Sequence, residues 1–393
     1  MTRTIIDIHV LQSIPPSNVN RDDTGSPKTA VFGGVRRARV SSQAWKRATR
    51  VAFDGLLDRS ELGVRTKRVV EVVADRIAEL RPDLSDGATA LAEAIVTATG
   101  IKLEKVTRTT GTGQEDNQEA KYLVFLSDLQ VSQLAKKAIE LAPGGDAAEI
   151  KALKSAEGKK LLDTGHSVDL ALFGRMVADV SDLNVDASAQ VAHAISVHQV
   201  DNEYDYFTAV DDVKNQSEDE DAGAGMIGTV EFNSSTLYRY ATVDVDGLRK
   251  NLGDDLATRR AVEAFVRAFV ESMPTGKQNT FANRTLPDTV LVVARDQQPV
   301  NLVGAFEDPV VREGDRTRLE VAASRLAQRA VEVEQVLGQR PVASWVVAIG
   351  DAKRGFAAPA EVGGAVLEAE ATTLPALSAA VGDLVASRLG TDR

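Results

Sequence analysis

An α+β fold is what this sequence predicts, on three observations. Alternating or β-branched segments gather at the N-terminus and again after residue 235. A run from residue 62 to residue 179 is dominated by Ala, Glu, Lys and Leu and reads as helical. Between them, residues 198–232 have apolar flanks around an acidic tip, the pattern of a projecting β-hairpin.

Taken in order, residues 4–12 place Ile6, Ile8 and Val10 on one face and Ile5, Asp7, His9 and Leu11 on the other, the period of a buried or half-buried strand. Pro15 and Pro16 should break it, and the polar residues 18–28 should form an exposed loop. Residues 30–40 read as strand interrupted by Gly33 and Gly34, with Val35, Arg37 and Arg39 on one face. Ser41 and Ser42 offer an N-cap for a helix over about residues 43–57. Its Trp45, Ala48, Ala52 and Leu56 should face the core, while Lys46, Arg47 and Arg50 project from another face. In the helical run the expected segments are residues 65–80, 88–98, 118–141 and 147–162, with a loop at 107–115. Beyond the hairpin, 235–245, 289–294 and 343–349 read as strands, and 258–272 and 376–389 as helices.

Charge separates the regions. The first fifty residues hold nine Lys and Arg against three acids, a surplus of six, in a chain whose net charge is −11. Residues 198–232 hold ten acids against one base, Lys214. A positive island on an acidic protein is the footprint of a surface that holds a polyanion. The acidic total argues against indiscriminate DNA coating. The chain contains no Cys, which excludes disulfide scaffolds, thiolate metal sites and Cys nucleophiles and suits a reducing cytoplasm. No signal peptide and no membrane-length apolar run is recognisable, so a cytoplasmic protein without a membrane partner is expected.

Five motifs follow one another in order: NRDD at residues 20–23, then FGGVRRARVSSQAWKRATR, DNEYDYFTAVDD, GTVEFNSSTLYRYA and TGKQNTFANRTLPD. Together they closely resemble the CasC family, the repeated backbone subunit of Cascade, the type I-E CRISPR surveillance complex. The resemblance implies a palm built on a modified RNA-recognition-motif (ferredoxin-like) sheet, a helical fingers insertion and a hairpin thumb. On this chain the palm would take residues 1–60 and 235–393, the fingers 61–185 and the thumb 196–234. It further implies copies arrayed side by side along one CRISPR RNA, other Cascade subunits as partners, and target DNA met through the guide. No cofactor is implied.

The resemblance also suggests residue roles. A phosphate backbone calls for spaced cations, with polar donors to set register, and Arg21, Lys28, Arg37, Arg39, Lys46, Arg47 and Arg50 with Ser41, Ser42 and Gln43 supply both. Met176, in LFGRMVAD, resembles a loop residue that wedges against bases; a helix-core methionine is the alternative. Tyr206, Phe207, Thr208, Val210 and Ile227 match thumb positions beside a displaced base, with Tyr206 where the family carries Trp; internal hairpin packing is the alternative. Lys277 would join the groove or remain a surface lysine.

Two rival classes stand beside this reading. A metal-dependent endoribonuclease would use Asp22 or Asp23, although pairing with the basic set is the preferred role for both. General acid–base cleavage by His198 is a weaker version, since a buried or capping histidine fits better. The four histidines form no HExxH pattern, and no metal site is expected. A purely structural oligomer without nucleic acid is the other class.

Overall fold

The computed structural model describes residues 3–110, 113–153, 155–177, 180–209, 226–357 and 366–390. Along the chain, β1 (Ile5–Ser17), β2 (Thr29–Phe32), β3 (Val35–Val40) and α1 (Ser42–Ala52) come first. Then follow β4 (Gly63–Thr66), α2 (Val69–Leu80), α3 (Ala88–Ala98), β5 (Leu103–Thr110), β6 (Gly113–Ala120), β7 (Val124–Ser127), α4 (Asp128–Leu141), α5 (Ser155–Lys160) and α6 (Val168–Phe173). Next are β8 (Ala189–Val191), β9 (Ala194–Ser196), β10 (Glu203–Ala209), β11 (Met226–Asp244), α7 (Val245–Leu252), α8 (Asp255–Glu271) and α9 (Gln278–Phe281). The last are β12 (Thr289–Arg295), α10 (Arg318–Val336), β13 (Ala343–Ala348), α11 (Gly350–Ala357), β14 (Glu370–Ala371) and α12 (Leu374–Gly390). The fold is α+β, as the sequence predicts.

The chain divides into two compact units. The first comprises Met1–Ala52, Val191–Thr242 and Phe265–Val381. Its sheet runs β14-β13-β12-β1-β11-β9-β3-β2, with β8 and β10 also paired to β11. Strands β1 and β12 are antiparallel from Ile5↔Arg295 to Leu11↔Thr289, while β13 and β14 are parallel. The core gathers Leu11, Tyr238, Leu291, Val293, Phe306 and Leu326.

Strand β1 is buried on both faces, so its polar residues require partners. The Asp7 carboxylate accepts from the Arg295 Nε at 3.0 Å, the Val300 N–H at 3.0 Å and the Tyr240 hydroxyl at 2.8 Å. The Tyr238 hydroxyl donates to Asn301 Oδ1 at 3.0 Å and accepts from the Leu302 N–H. Its 2.9 Å contact with His9 Nδ1 is therefore one in which the imidazole donates. Burial lowers the His9 pKa to about 3, which keeps that ring neutral. The strand does not stop at Pro15 and Pro16 as expected; it runs to Ser17. Proline removes a donor but tolerates extended backbone, and the pairing with β12 has already ended at Leu11.

Helix α1 ends at Ala52 rather than near residue 57, and a turn of 3₁₀ helix follows. Trp45 and Thr49 are its buried residues, whereas Ala48 and Ala52 are only half-buried. Trp45 packs on a buried arginine: the Arg239 guanidinium carbon lies 3.8 Å from its ring centroid and 4.6 Å from that of Phe269.

The predicted hairpin is present. Strands β10 and β11 pair antiparallel from Glu203↔Phe232 to Ala209↔Met226. Its acidic tip lies outside the described residues.

The second unit comprises Phe53–Gln190, Val243–Ala264 and Gly382–Arg393. Its core is helical, with Val69, Val73, Ile77, Leu91, Ile95 and Leu134 fully buried. The run is less helical than expected. Residues 103–110 and 113–120 form the antiparallel pair β5–β6, and the described residues of 147–162 hold a short 3₁₀ turn and α5 rather than one long helix. LEKVTRTT carries three Thr and one Val, β-branched residues that favour strand, and β5–β6 can pair locally without burying a helical face.

Replacing Trp45 by Ala removes the cover from Arg239 and opens a cavity. We expect a loss of about 3–5 kcal/mol in folding free energy, measured by denaturant unfolding.

Candidate nucleic-acid interface

In the first unit, the loop of residues 18–28 is built from its own backbone. The Asp22 carboxylate accepts from the Thr24 N–H at 3.0 Å, the Thr24 hydroxyl at 2.7 Å and the Ser26 N–H at 3.0 Å. These bonds, led by the Thr24 hydroxyl, hold its pKa below the ordinary carboxylate value. The role expected for Asp22, pairing with the basic set, is therefore corrected: its oxygens cap the loop.

Asn18, fully buried, donates from Nδ2 to Gly25 O at 2.9 Å and to Glu231 O at 3.0 Å, fastening the loop to β11. Asn20 Oδ1 accepts the Ser41 N–H at 2.8 Å, which fastens it to the start of α1. Ser41 caps that helix, its Oγ accepting the Ala44 N–H at 3.3 Å. Ser41 is itself buried, while Ser42 is half-buried and Gln43 exposed. The loop preceding α9 completes the arrangement. A Cβ on Gly276 would stand 2.0 Å from Val19 O, so only glycine permits this approach. Lys277 follows in the left-handed region, at φ 46°, a backbone state uncommon outside glycine and typical of constrained sites. Val19, Asn20, Arg21, Thr24, Gly25 and Gly276 line the open groove that results, together with the acidic Asp22 and Asp23.

Arg21, Lys28, Lys46, Arg47 and Lys277 make no ion pair among the described residues. Some surface arginines elsewhere are compensated, Arg76 by Asp128 at 2.7 Å, Arg259 by Glu263 at 2.9 Å and Arg354 by Asp351 at 2.5 Å, whereas the exposed Arg65, Arg284 and Arg312 also make no ion pair among the described residues. Lys46 is half-buried, and that burial pulls its pKa below the usual lysine value. A partly desolvated ammonium without a counter-charge is stabilised by any anion brought to it. Arg50 is half-buried on the same helix, four residues on.

Arg37 does not belong to this set. It is fully buried, and its guanidinium donates to the carbonyls of Phe32, Ser196, Phe306 and Glu307 at 2.9–3.2 Å. The expectation that it faces a ligand is thus overturned; it is a backbone staple that seats the Gly33–Gly34 turn. A Cβ on Gly33 would overlap Glu307 O at 1.7 Å. Sequence periodicity put Arg37 and Arg39 on one face, but it could not reveal that the carbonyls of a distant segment cover only the first. Arg39 is half-buried; its Nε donates to Thr29 O at 3.1 Å and a terminal nitrogen meets His193 Nδ1 at 3.2 Å. The histidine was not foreseen as part of this face, because 154 residues separate the pair.

On the hairpin, Tyr206, Phe207 and Thr208 are exposed, and Tyr206 is 62% accessible. Phe207 packs back on Gly228, where a Cβ would lie 2.5 Å from the ring. Val210 lies outside the described residues, as does the side chain of Ile227. Met176 belongs to the second unit and is 82% exposed, which removes the helix-core alternative. The preceding Arg175 pins its loop by donating to the carbonyls of Leu183 and Leu162.

His198 is buried, with both ring nitrogens engaged. Its Nδ1–H donates to Gln199 O at 2.7 Å, and Nε2 accepts from the Thr236 N–H and from Arg318, both at 3.1 Å. Burial first, then the nearby arginines, lowers its pKa to about 4. Among the described residues, no cluster of three or more His, Asp or Glu could hold a metal ion. Among them, too, no helix is long and apolar enough to cross a membrane.

The buried neutral His198 has a measurable consequence. Its folded pKa lies below the ordinary value, so the unfolded chain binds the extra proton. Its contribution should be complete above about pH 6.5, decline as pH falls toward about 4 and level off there, by up to about 3 kcal/mol. Unfolding measured across that range should show a shallower acid loss in His198→Gln than in the wild type.

The comparisons place this architecture among known proteins. The CT1975-like protein family matches residues 6–377. One solved chain, from a "CRISPR RNA-guided surveillance complex, pre-nicking", is 34% identical with a TM-score of 0.81, over 97% of this chain and 100% of that one. A second, from a "CRISPR RNA-guided surveillance complex", is 30% identical with a TM-score of 0.69, over 96% and 99%. No curated protein matches. Both findings agree with the resemblance to the CasC family read from the motifs, and the chain belongs to the CT1975-like protein family.

Proposed function

We propose that this chain is the repeated backbone subunit of a type I-E Cascade complex and acts as a scaffold rather than an enzyme. Copies assemble side by side along a CRISPR RNA and hold its phosphates, leaving the bases to pair with target DNA. The single observation that carries this reading is the gathering of unpaired cations around a capped helix N-terminus, in a chain whose fold matches subunits of RNA-guided complexes. Spacers differ in sequence, so the contacts should favour phosphate and sugar over base edges. Lys28, Lys46, Arg47, Arg50 and Arg21 are the proposed phosphate contacts, with Ser42, Gln43 and Arg39 setting register and Lys277 closing the groove.

In this reading residues 1–60 and 235–393 form the palm, 61–185 the fingers and 196–234 the thumb. Tyr206, Phe207 and Thr208, with Val210 and Ile227 by resemblance, border a displaced base, and Met176 supplies an apolar wedge. Holding the guide in place lowers the ordering cost of pairing, and base pairing supplies the specificity. The other Cascade subunits, a cytoplasmic setting and a separately recruited nuclease belong to the same proposal.

Lys46→Ala/Arg50→Ala should lose RNA at physiological salt. The slope of log affinity against log salt should fall by about 1.4, or about 0.7 for each phosphate contact removed from a single strand. A double variant that keeps both wild-type affinity and slope would refute the groove. Asp22 tests the rival chemistry. With magnesium and labelled complementary RNA the assembled complex should leave the RNA intact; regular cuts abolished by Asp22→Ala would make it a ribonuclease.

A further inference from the structure

We propose that His193 is a phosphate-binding residue of the RNA groove and takes up a proton as the backbone docks. The inference rests on the RNA-scaffold reading above and adds a regulated contact to it. Three basic groups from three segments converge here: Lys28 ahead of β2, Arg39 on β3 and His193 between β8 and β9. Pairing of β3 with β9, Arg39 opposite Ile195 and Val40 opposite Ala194, brings the histidine beside the arginine. The Arg39 N–H points at His193 Nδ1, 3.2 Å away. That bond requires an unprotonated Nδ1, which leaves the proton on Nε2 as an outward donor. Arg39 has its Nε committed to Thr29 O, while its other terminal nitrogen makes no hydrogen bond among the described residues.

The imidazole is exposed, so a ligand can reach it. Partial desolvation, then Arg39 and then Lys28, push its pKa below the usual histidine value; no carboxylate is among the groups acting on it. The free site is thus a neutral histidine, partly desolvated and beside two cations. A phosphate placed among the three reverses the balance. It screens Arg39 and Lys28 and attracts a charged imidazolium, so the bound ring holds its proton at a higher pH than the free ring. Binding and protonation are then linked: affinity rises as pH falls through the bound value and levels off below the free one. The gain is bounded by the difference between the two, tenfold for each unit.

The other histidines do not blur the readout. His9 and His198 remain neutral down to about pH 3 and about pH 4. His166 lies in the second unit, its Nδ1 3.1 Å from the Gln130 amide nitrogen and its pKa also lowered by burial.

The test uses the full chain and a single-stranded uridine oligonucleotide, at fixed ionic strength, at about pH 6 and about pH 8. Calorimetry in buffers of different ionisation enthalpy counts the protons taken up. Wild type should bind about three- to tenfold more tightly per subunit at the lower pH, with net proton uptake. His193→Gln should show neither the pH dependence nor the proton uptake. At the lower pH, the wild-type salt slope should also steepen by about 0.7 per subunit. Two results overturn the inference alone: RNA binding by wild type with no pH dependence, or an unchanged pH dependence in His193→Gln. Failure of wild type to bind RNA at either pH overturns the scaffold reading and this inference with it.

Discussion

The buried Arg239 guanidinium, stacked between Trp45 and Phe269, is the interaction on which the proposed RNA face depends. Among the described residues no carboxylate meets it. Its charge is met by the Gln12 amide oxygen at 2.6 Å, the Phe269 carbonyl and two aromatic faces. Burial lowers its pKa only to about 9, so it stays a cation at neutral pH. Such a group is costly unless every neighbour is held in place. The arrangement ties helix α1, strand β1 and strand β11 to one point, and the cations of α1 inherit their position from it.

Strand β11 carries that constraint outward. Its 19 residues begin in the hairpin and end in the central sheet, so hairpin and sheet share one continuous backbone. Asn18 bonds the basic loop to the same strand at Glu231, and Asn20 bonds it to the first turn of α1. A loop that looks irregular in sequence is therefore held from both sides. This is the preorganisation that a scaffold for a flexible polyanion requires, because freedom left in the loop would be lost on binding.

Two sets of basic residues are close in sequence and opposite in physics. Arg37 spends its fork on four carbonyls and belongs to the interior, whereas Lys28 and Arg47 remain uncompensated at the surface. Composition counts both as positive charge. Only the burial and the partners distinguish a staple from a contact. The same holds for acids: Asp22 caps its own loop, while Asp7 completes a fully buried ion pair with Arg295.

Much of the fold was legible because it rests on local periodicity. The alternation in β1, the apolar run of β12, the cap at Ser41 and the flanks of the hairpin each announce themselves within a few residues. The second unit is less legible. Short strands such as β5 and β6 lie in a polar segment without a strong period, where β-branched residues favour strand only weakly and the mutual pairing completes it. For the site, the charge surplus of the first fifty residues was visible at once, since net charge is additive along a chain. Tertiary structure alone decided which of those charges are spent, that Gly276 sits against the loop at Val19, and that His193 meets Arg39 across 154 positions. The physical reason is the same in each case: availability depends on which distant backbone or side chain fills the space around a group, and sequence order does not encode that distance.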